Sequence, residues 1–134
     1  YLGSHILTSF LKETESKLAD SSVWLAYLFN GEHKDIIDSD EILLLSVLSL
    51  FEVKKKLAKT AIEKSKISRS MEFIKKRSLI LPVSSEIAER AADFSLEHGL
   101  SIIDSLIYAT SLLNGSVLLT RDNDFRGLGS VIVF

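Results

Sequence analysis

The chain has no cysteine, a single proline and three scattered histidines, His5, His33 and His98. Without a thiol there is neither a disulfide scaffold nor a thiolate metal site, and a reducing compartment is implied. No apolar run approaches the roughly 20 residues that a membrane span requires, and the N-terminus lacks the basic-then-apolar order of a signal peptide. A soluble, cytoplasmic protein with no membrane partner is therefore expected. Glycine-rich phosphate loops are missing too: GxGxxG, GxxxxGKS and GxxxxGKT do not occur, and there is no internal repeat or low-complexity linker.

What is present is enough for one domain. A chain of 134 residues buries roughly two-thirds of the surface its unfolded form exposes. The formal charge of −2 gives no global argument for a polyanionic partner, but its distribution is uneven: ten of the 16 lysines and arginines lie between Lys54 and Arg77, against only Glu63 and Glu72. Such a helical surface either steers a polyanion toward the protein or is a solvated lysine-rich face.

Residues 1–16 fit the rest poorly. Gly3-Ser4-His5 looks like an expression scar, while Ile6, Leu7, Phe10 and Leu11 recur at the spacing of a short helix. They are read as an N-terminal extension to a domain spanning 17–134. From Lys17 the element types alternate. Lys17 to Asp20 reads as a strand, and Ser21 to Asn30 as an apolar helix stopped by Asn30-Gly31. His33 to Asp38 reads as a short helix, and Ile42 to Leu45 as a strand buried on both faces. Ser46 to Thr60 and Ala61 to Arg77 are lysine-rich helices, and Ser78 to Val83 is a strand with Pro82 at its end.

Ser84 to His98 is a capped helix with apolar positions at Ile87, Ala91, Phe94 and Leu96, closed by Gly99. Ser101 to Asn114 is a second one, followed by strands at Ser116 to Thr120 and Val131 to Phe134. Alternating strands and helices of this kind predict an α/β fold, a three-layer α/β/α sandwich with a mainly parallel sheet.

Each notable acid has a purely structural account. Asp20 can cap the helix beginning at Ser21. Asp104 completes the S-x-x-D capping spacing from Ser101 and sits at the positive end of a helix dipole. Asp122 and Asp124 are turn residues after a strand. Glu52 can pair with Lys55 or Lys56. His98 can serve as a cation at a helix C-terminus. Yet in a parallel sheet all strands end at one edge, and the helix leading into the next strand starts there. Asp20, Glu52, Asp104, Asp122 and Asp124 should gather at that carboxyl edge, where open α/β sheets bind ligands. Glu52 is the weakest member, because the main apolar stripe of its helix (Val47, Leu50, Phe51, Leu57, Ala58) points nearly away from it, although Leu48 marks a partly covered second face.

Carboxylates so crowded repel: two like charges at 4 Å cost about 4 kcal/mol at an effective dielectric of 20. With only oxygen ligands available, Mg²⁺ or Mn²⁺, one or two ions, is the expected offset. Such an ion acidifies a bound water, so the site needs no histidine base.

At these residues the sequence resembles the PIN-domain ribonucleases, and among them the toxins of the VapC type. The matching pieces are LADSSVWLAYL with Asp20, SLFEVKKKL with Glu52, HGLSIIDSLIYATSLLNG with Asp104, and LLTRDNDF with Thr120, Asp122, Asp124 and Phe125. The resemblance covers Lys17 to Phe134, and TxDxDF following DxxIxAT is its most specific part. It implies strand order 3-2-1-4-5 and a metal-dependent endoribonuclease acting by in-line attack of a metal-activated water. It makes Asp20, Glu52, Asp104 and Asp122 the acidic quartet, with Asp124 an auxiliary ligand and Ser22 and Thr120 supporting hydroxyls. It also implies an RNA substrate, a homodimer and a small antitoxin partner. Lys54, Lys55, Lys56, Arg121 and Arg126 would grip the RNA backbone.

Three other readings compete. A catalytically inactive PIN-fold module binding RNA or protein is the nearest. A phosphoacceptor receiver domain lacks its acidic pair after the first strand, since Asp20 is followed by Ser21 and Ser22. A metal-independent nuclease would need a partner for His98, and none is evident.

Overall fold

The computed structural model describes residues 15–134; the short helix expected around residues 6–11 lies outside the described residues. Strand β1 is Lys17–Ala19, followed by helices α1 (Ser21–Asn30) and α2 (Lys34–Ile37), then β2 (Leu43–Ser46) and helices α3 (Val47–Ala58) and α4 (Lys64–Arg77). The second half holds β3 (Ser78–Leu81), α5 (Ser85–His98), α6 (Ile102–Leu113), β4 (Val117–Thr120), a 3-10 turn at Asn123–Phe125 and β5 (Val131–Val133). The strands form one sheet in the order β3-β2-β1-β4-β5, every pair parallel. Both the parallel sheet and the implied order are borne out.

Alternation along the strands builds the three layers, since successive strand residues face opposite sides. Leu18, Leu44 and Leu118 pack on one side with Ala91 and Phe94 of α5 and Ile107 and Tyr108 of α6. Their neighbours Ala19, Leu43, Leu45 and Leu119 pack on the other with Trp24 of α1, Val53 and Leu57 of α3 and Ile74 of α4. The register pairs Ala19 with Leu119, which sets the ends of β1 and β4 side by side. Gly31 (φ 67°) and Gly99 (φ 69°) close α1 and α5 in the left-handed region, as their helix-ending positions required.

Several expectations are corrected. The second strand is shifted by one residue, because Ile42 is 66% exposed while Ser46 is fully buried and ends β2. Residues 59–63 separate the two lysine-rich helices instead of continuing them. Leu96 is 88% exposed and takes no part in the core that Ile87, Ala91 and Phe94 enter.

The apolar stripe expected on α3 holds only in part: Leu57 is buried and Leu50 packs against the core, but Val47, Phe51 and Ala58 are exposed. The buried residues of the helix are Ser49, Val53 and Leu57, spaced i, i+4, i+8. The cause lies at the strand–helix junction: Ser46 is both the last residue of β2 and the N-cap of α3, its hydroxyl accepting from the Leu48 N–H at 3.2 Å. No loop remains to let the helix rotate its more apolar side inward. That rotation brings Glu52, half-buried, toward the edge of the sheet.

Candidate functional site

Asp20 follows β1 directly and caps α1. Its Oδ1 accepts from the Ser22 N–H at 3.0 Å, the Val23 N–H at 3.3 Å and the Ser22 hydroxyl at 2.5 Å. Its Oδ2 accepts from the Thr120 hydroxyl, also at 2.5 Å, which ties the end of β1 to the end of β4 across 100 residues of sequence. Burial pushes the Asp20 carboxyl above the usual carboxylate range, and the hydrogen bonds from Ser22 and Thr120 oppose that push. With Oδ1 filled, one acceptor position remains on Oδ2.

Thr120 works in both directions, since its oxygen also accepts the Asp122 N–H at 3.0 Å. Asp122 then caps the 3-10 turn, its Oδ1 accepting the Asp124 N–H at 2.9 Å. Ser22 closes a parallel link by accepting the Arg121 N–H at 2.8 Å. The two expected hydroxyls thus join the loop after β1 to the loop after β4. Thr120 is fully buried, so Thr120→Val keeps the shape but leaves the Asp122 N–H unpaired. A loss of about 1–3 kcal/mol is expected in urea unfolding, and Thr120→Ser should recover most of it; equal losses for both variants would contradict this role.

Asp104 lies in the first turn of α6, where the Ser101 hydroxyl accepts its N–H at 3.2 Å. Its carboxyl is pushed up to about 6, first by burial and then by the charge of Asp122; hydrogen bonding of the Ser101 hydroxyl to the carboxyl itself opposes this, and Asp124 and Glu52 add smaller repulsions. Glu52 is also raised, chiefly by burial, with the Ser21 hydroxyl (3.2 Å to Oε1) pulling it back and the Asp20 charge pushing it up. The five acids therefore share one electrostatic neighbourhood.

Within it Asp104, Asp122 and Asp124 stand closest, each offering a carboxylate oxygen within 4.8 Å of the others. Asp20 and Glu52 stand outside this trio. Three convergent hard oxygens suit a small divalent cation. Asp124, expected to be auxiliary, is as central as Asp104 and Asp122. Ser21 was not foreseen: its bond to Glu52 spans 31 residues, and only the fold brings the two together.

The basic residues divide. Lys54, Lys55 and Lys56 are exposed on α3, and of these Lys55 and Lys56 share a groove with Glu52. Arg77, at the end of the lysine-rich segment, is turned inward, its Nε donating to the Ile37 carbonyl at 2.5 Å and a terminal nitrogen to the Ser39 carbonyl at 3.0 Å. Arg121 is paired with Glu32 and lies 3.1 Å from His33 Nε2, while Arg126 holds the Asn123 side chain at 2.8 Å.

The sequence and the fold both have counterparts among known proteins. The sequence model of the PIN domain family matches residues 17–130. Among solved structures, a toxin–antitoxin complex from Klebsiella pneumoniae is 25% identical with a TM-score of 0.72, covering 87% of this chain and 96% of that one. VapBC2 from Rickettsia felis, bound to a DNA fragment from its promoter, is 12% identical with a TM-score of 0.73, covering 89% and 97%. VapC20 from Mycobacterium tuberculosis, a sarcin-ricin loop cleaving toxin, is 17% identical with a TM-score of 0.65, covering 84% and 95%. No curated protein matches the chain.

Proposed function

The chain belongs to the PIN domain family, and from that premise we propose that it is a metal-dependent endoribonuclease, the toxin of a toxin–antitoxin pair. The observation that carries the chemistry is the trio Asp104, Asp122 and Asp124, with carboxylate oxygens within 4.8 Å of one another and with Glu52 and Asp20 on its border. Asp104, Asp122 and Asp124 would hold Mg²⁺ or Mn²⁺, with Asp20 Oδ2 and Glu52 completing the acidic set around one or two ions. When bound, the cation offsets the crowded negative charge and acidifies water near neutral pH.

The chain's own residues supply geometry. Asp20, Ser22 and Thr120 fix the two loops so that Asp122 keeps its place opposite Asp104 without reorganising during reaction. Ser21 holds Glu52 toward the same space. Water attacks the RNA phosphorus in line, the P–O3′ bond breaks, and the products carry a 5′-phosphate and a 3′-hydroxyl. An antitoxin partner accords with the toxin–antitoxin complexes from Klebsiella pneumoniae and Rickettsia felis, and an RNA substrate with the loop-cleaving toxin from Mycobacterium tuberculosis. A homodimer in the cytoplasm completes the reading. No helix among the described residues is long and apolar enough to cross a membrane.

The test is incubation with a mixed cellular RNA pool, with Mg²⁺ or Mn²⁺ and with EDTA, followed by mapping of product ends. Cleavage that needs the metal and leaves 5′-phosphates is expected. Cleavage persisting in EDTA, or products ending in 2′,3′-cyclic phosphate, would overturn the mechanism.

A further inference from the structure

Beside the acids, α3 presents a groove of about 350 Å³ lined by Phe51, Glu52, Lys55, Lys56, Lys59 and Ile103. Phe51 is 64% exposed, the most exposed phenylalanine among the described residues. Lys55 Nζ lies 5.7 Å from its ring centroid. The groove is continuous with the acidic cluster through two of its members: Glu52 belongs to both, and Ile103 adjoins Asp104.

We infer that this groove is a nucleotide subsite, in which Phe51 stacks an unpaired base adjoining the scissile phosphate while Lys55, Lys56 and Lys59 take the neighbouring phosphates. The inference rests on the ribonuclease reading and narrows the substrate to single-stranded RNA at this position. Charge argues for it. A polyanionic strand delivered to a cluster of carboxylates meets repulsion there, and three ammonium groups on the adjoining helix turns supply the opposite sign where the strand leaves the cluster. The mixture of lining groups argues further: a phenyl face among cations matches a base with its phosphate, because every base presents a π-face whatever its sequence. Entry of a base exchanges the exposed contact between Lys55 and the ring for stacking, and frees that ammonium for a phosphate. A duplex holds its bases in its own stack and offers none to the ring.

The experiment uses the full chain and a fluorescently labelled single-stranded oligoribonucleotide that the wild type cleaves, with an abasic nucleotide placed in turn at each position. Phe51→Ala should raise KM roughly 10-fold, within the range of losing one base–aromatic stack, with kcat and melting temperature unchanged. Phe51→Trp should restore KM. In the wild type one abasic position next to the cleaved bond should raise KM by the same factor, and in Phe51→Ala that position should have no further effect. If the wild type cleaves RNA but Phe51→Ala retains its KM, or if the abasic series affects both proteins alike, the subsite is refuted, the ribonuclease reading stands, and the groove is left for an acidic peptide. If the wild type neither cleaves nor binds RNA, both readings fall together.

Discussion

Replacing Asp122 or Asp104 with asparagine is expected to lower the rate of RNA cleavage by about 10³-fold while leaving the protein folded. Both substitutions keep the size of the side chain and remove one charge from a trio whose oxygens lie within 4.8 Å of one another. The electrostatic support a divalent ion gives a reacting phosphate is worth several kcal/mol, and each factor of ten in rate is about 1.4 kcal/mol. Losing the site's grip on that ion therefore costs about three decades. The structural cost is smaller. In Asp122→Asn the amide oxygen can still accept the Asp124 N–H that Asp122 Oδ1 now holds at 2.9 Å, a neutral bond of about 1 kcal/mol. Single-turnover cleavage beside a urea melt separates the two effects. A variant within a factor of ten of the wild type would remove its residue from the machinery.

Much of this site was legible because its members play local roles that sequence encodes. Asp20 before Ser21-Ser22 and Ser101 three residues before Asp104 are capping signatures, and each does cap its element; Asp122, read as a turn residue after a buried strand, caps the 3-10 turn there. Parallel topology then carried these separate caps to one edge. The fold was legible for the same reason: Leu43 to Leu45 is an uninterrupted apolar run, and α5 lies between Ser84 and Gly99.

What stayed hidden depends on tertiary rotation. The side of α3 that faces the sheet is set by its loop-free junction with β2, and periodicity favoured Val47 and Phe51, which are 41% and 64% exposed. The same rotation puts Ser21 against Glu52 and Phe51 in the groove, and neither has a spacing that announces it; Glu52 itself was expected at the edge from topology and the family resemblance, not from periodicity. The Asp20–Thr120 bond follows from strand order, which came only from the family resemblance.

The crowding of carboxylates has a second large consequence, in stability. In the metal-free protein the Asp104 carboxyl sits at about 6 against an ordinary 3.8, so between those values the folded state binds more protons than the unfolded one. This contribution to stability is fully present below about pH 4 and is lost as pH rises through 6. Glu52 and Asp20, also raised chiefly by burial, act in the same direction. Above pH 6 the metal-free protein carries the cost of a buried ionised carboxyl and the repulsion from Asp122, and Asp104→Asn should make it more stable than the wild type there, with a weaker dependence on pH between 4 and 6. A divalent ion reverses the order, because it binds the ionised carboxylates and stabilises the folded state by mass action, about 2.7 kcal/mol at one hundred times its Kd. For a chain of this size that corresponds to a rise in Tm of about 5–10 °C.

The central claim, that the acids at the carboxyl edge form a divalent-cation site, is tested most directly by a Mn²⁺ titration of Tm at pH 7.5 on wild type and Asp104→Asn side by side. The expected result is a wild type that starts lower and climbs several degrees to saturation, crossing a variant that starts higher and barely responds. A wild type that gains nothing at about 10 mM Mn²⁺, at which any site with a Kd below about 0.1 mM would be saturated, would contradict it, as would a variant that climbs just as far.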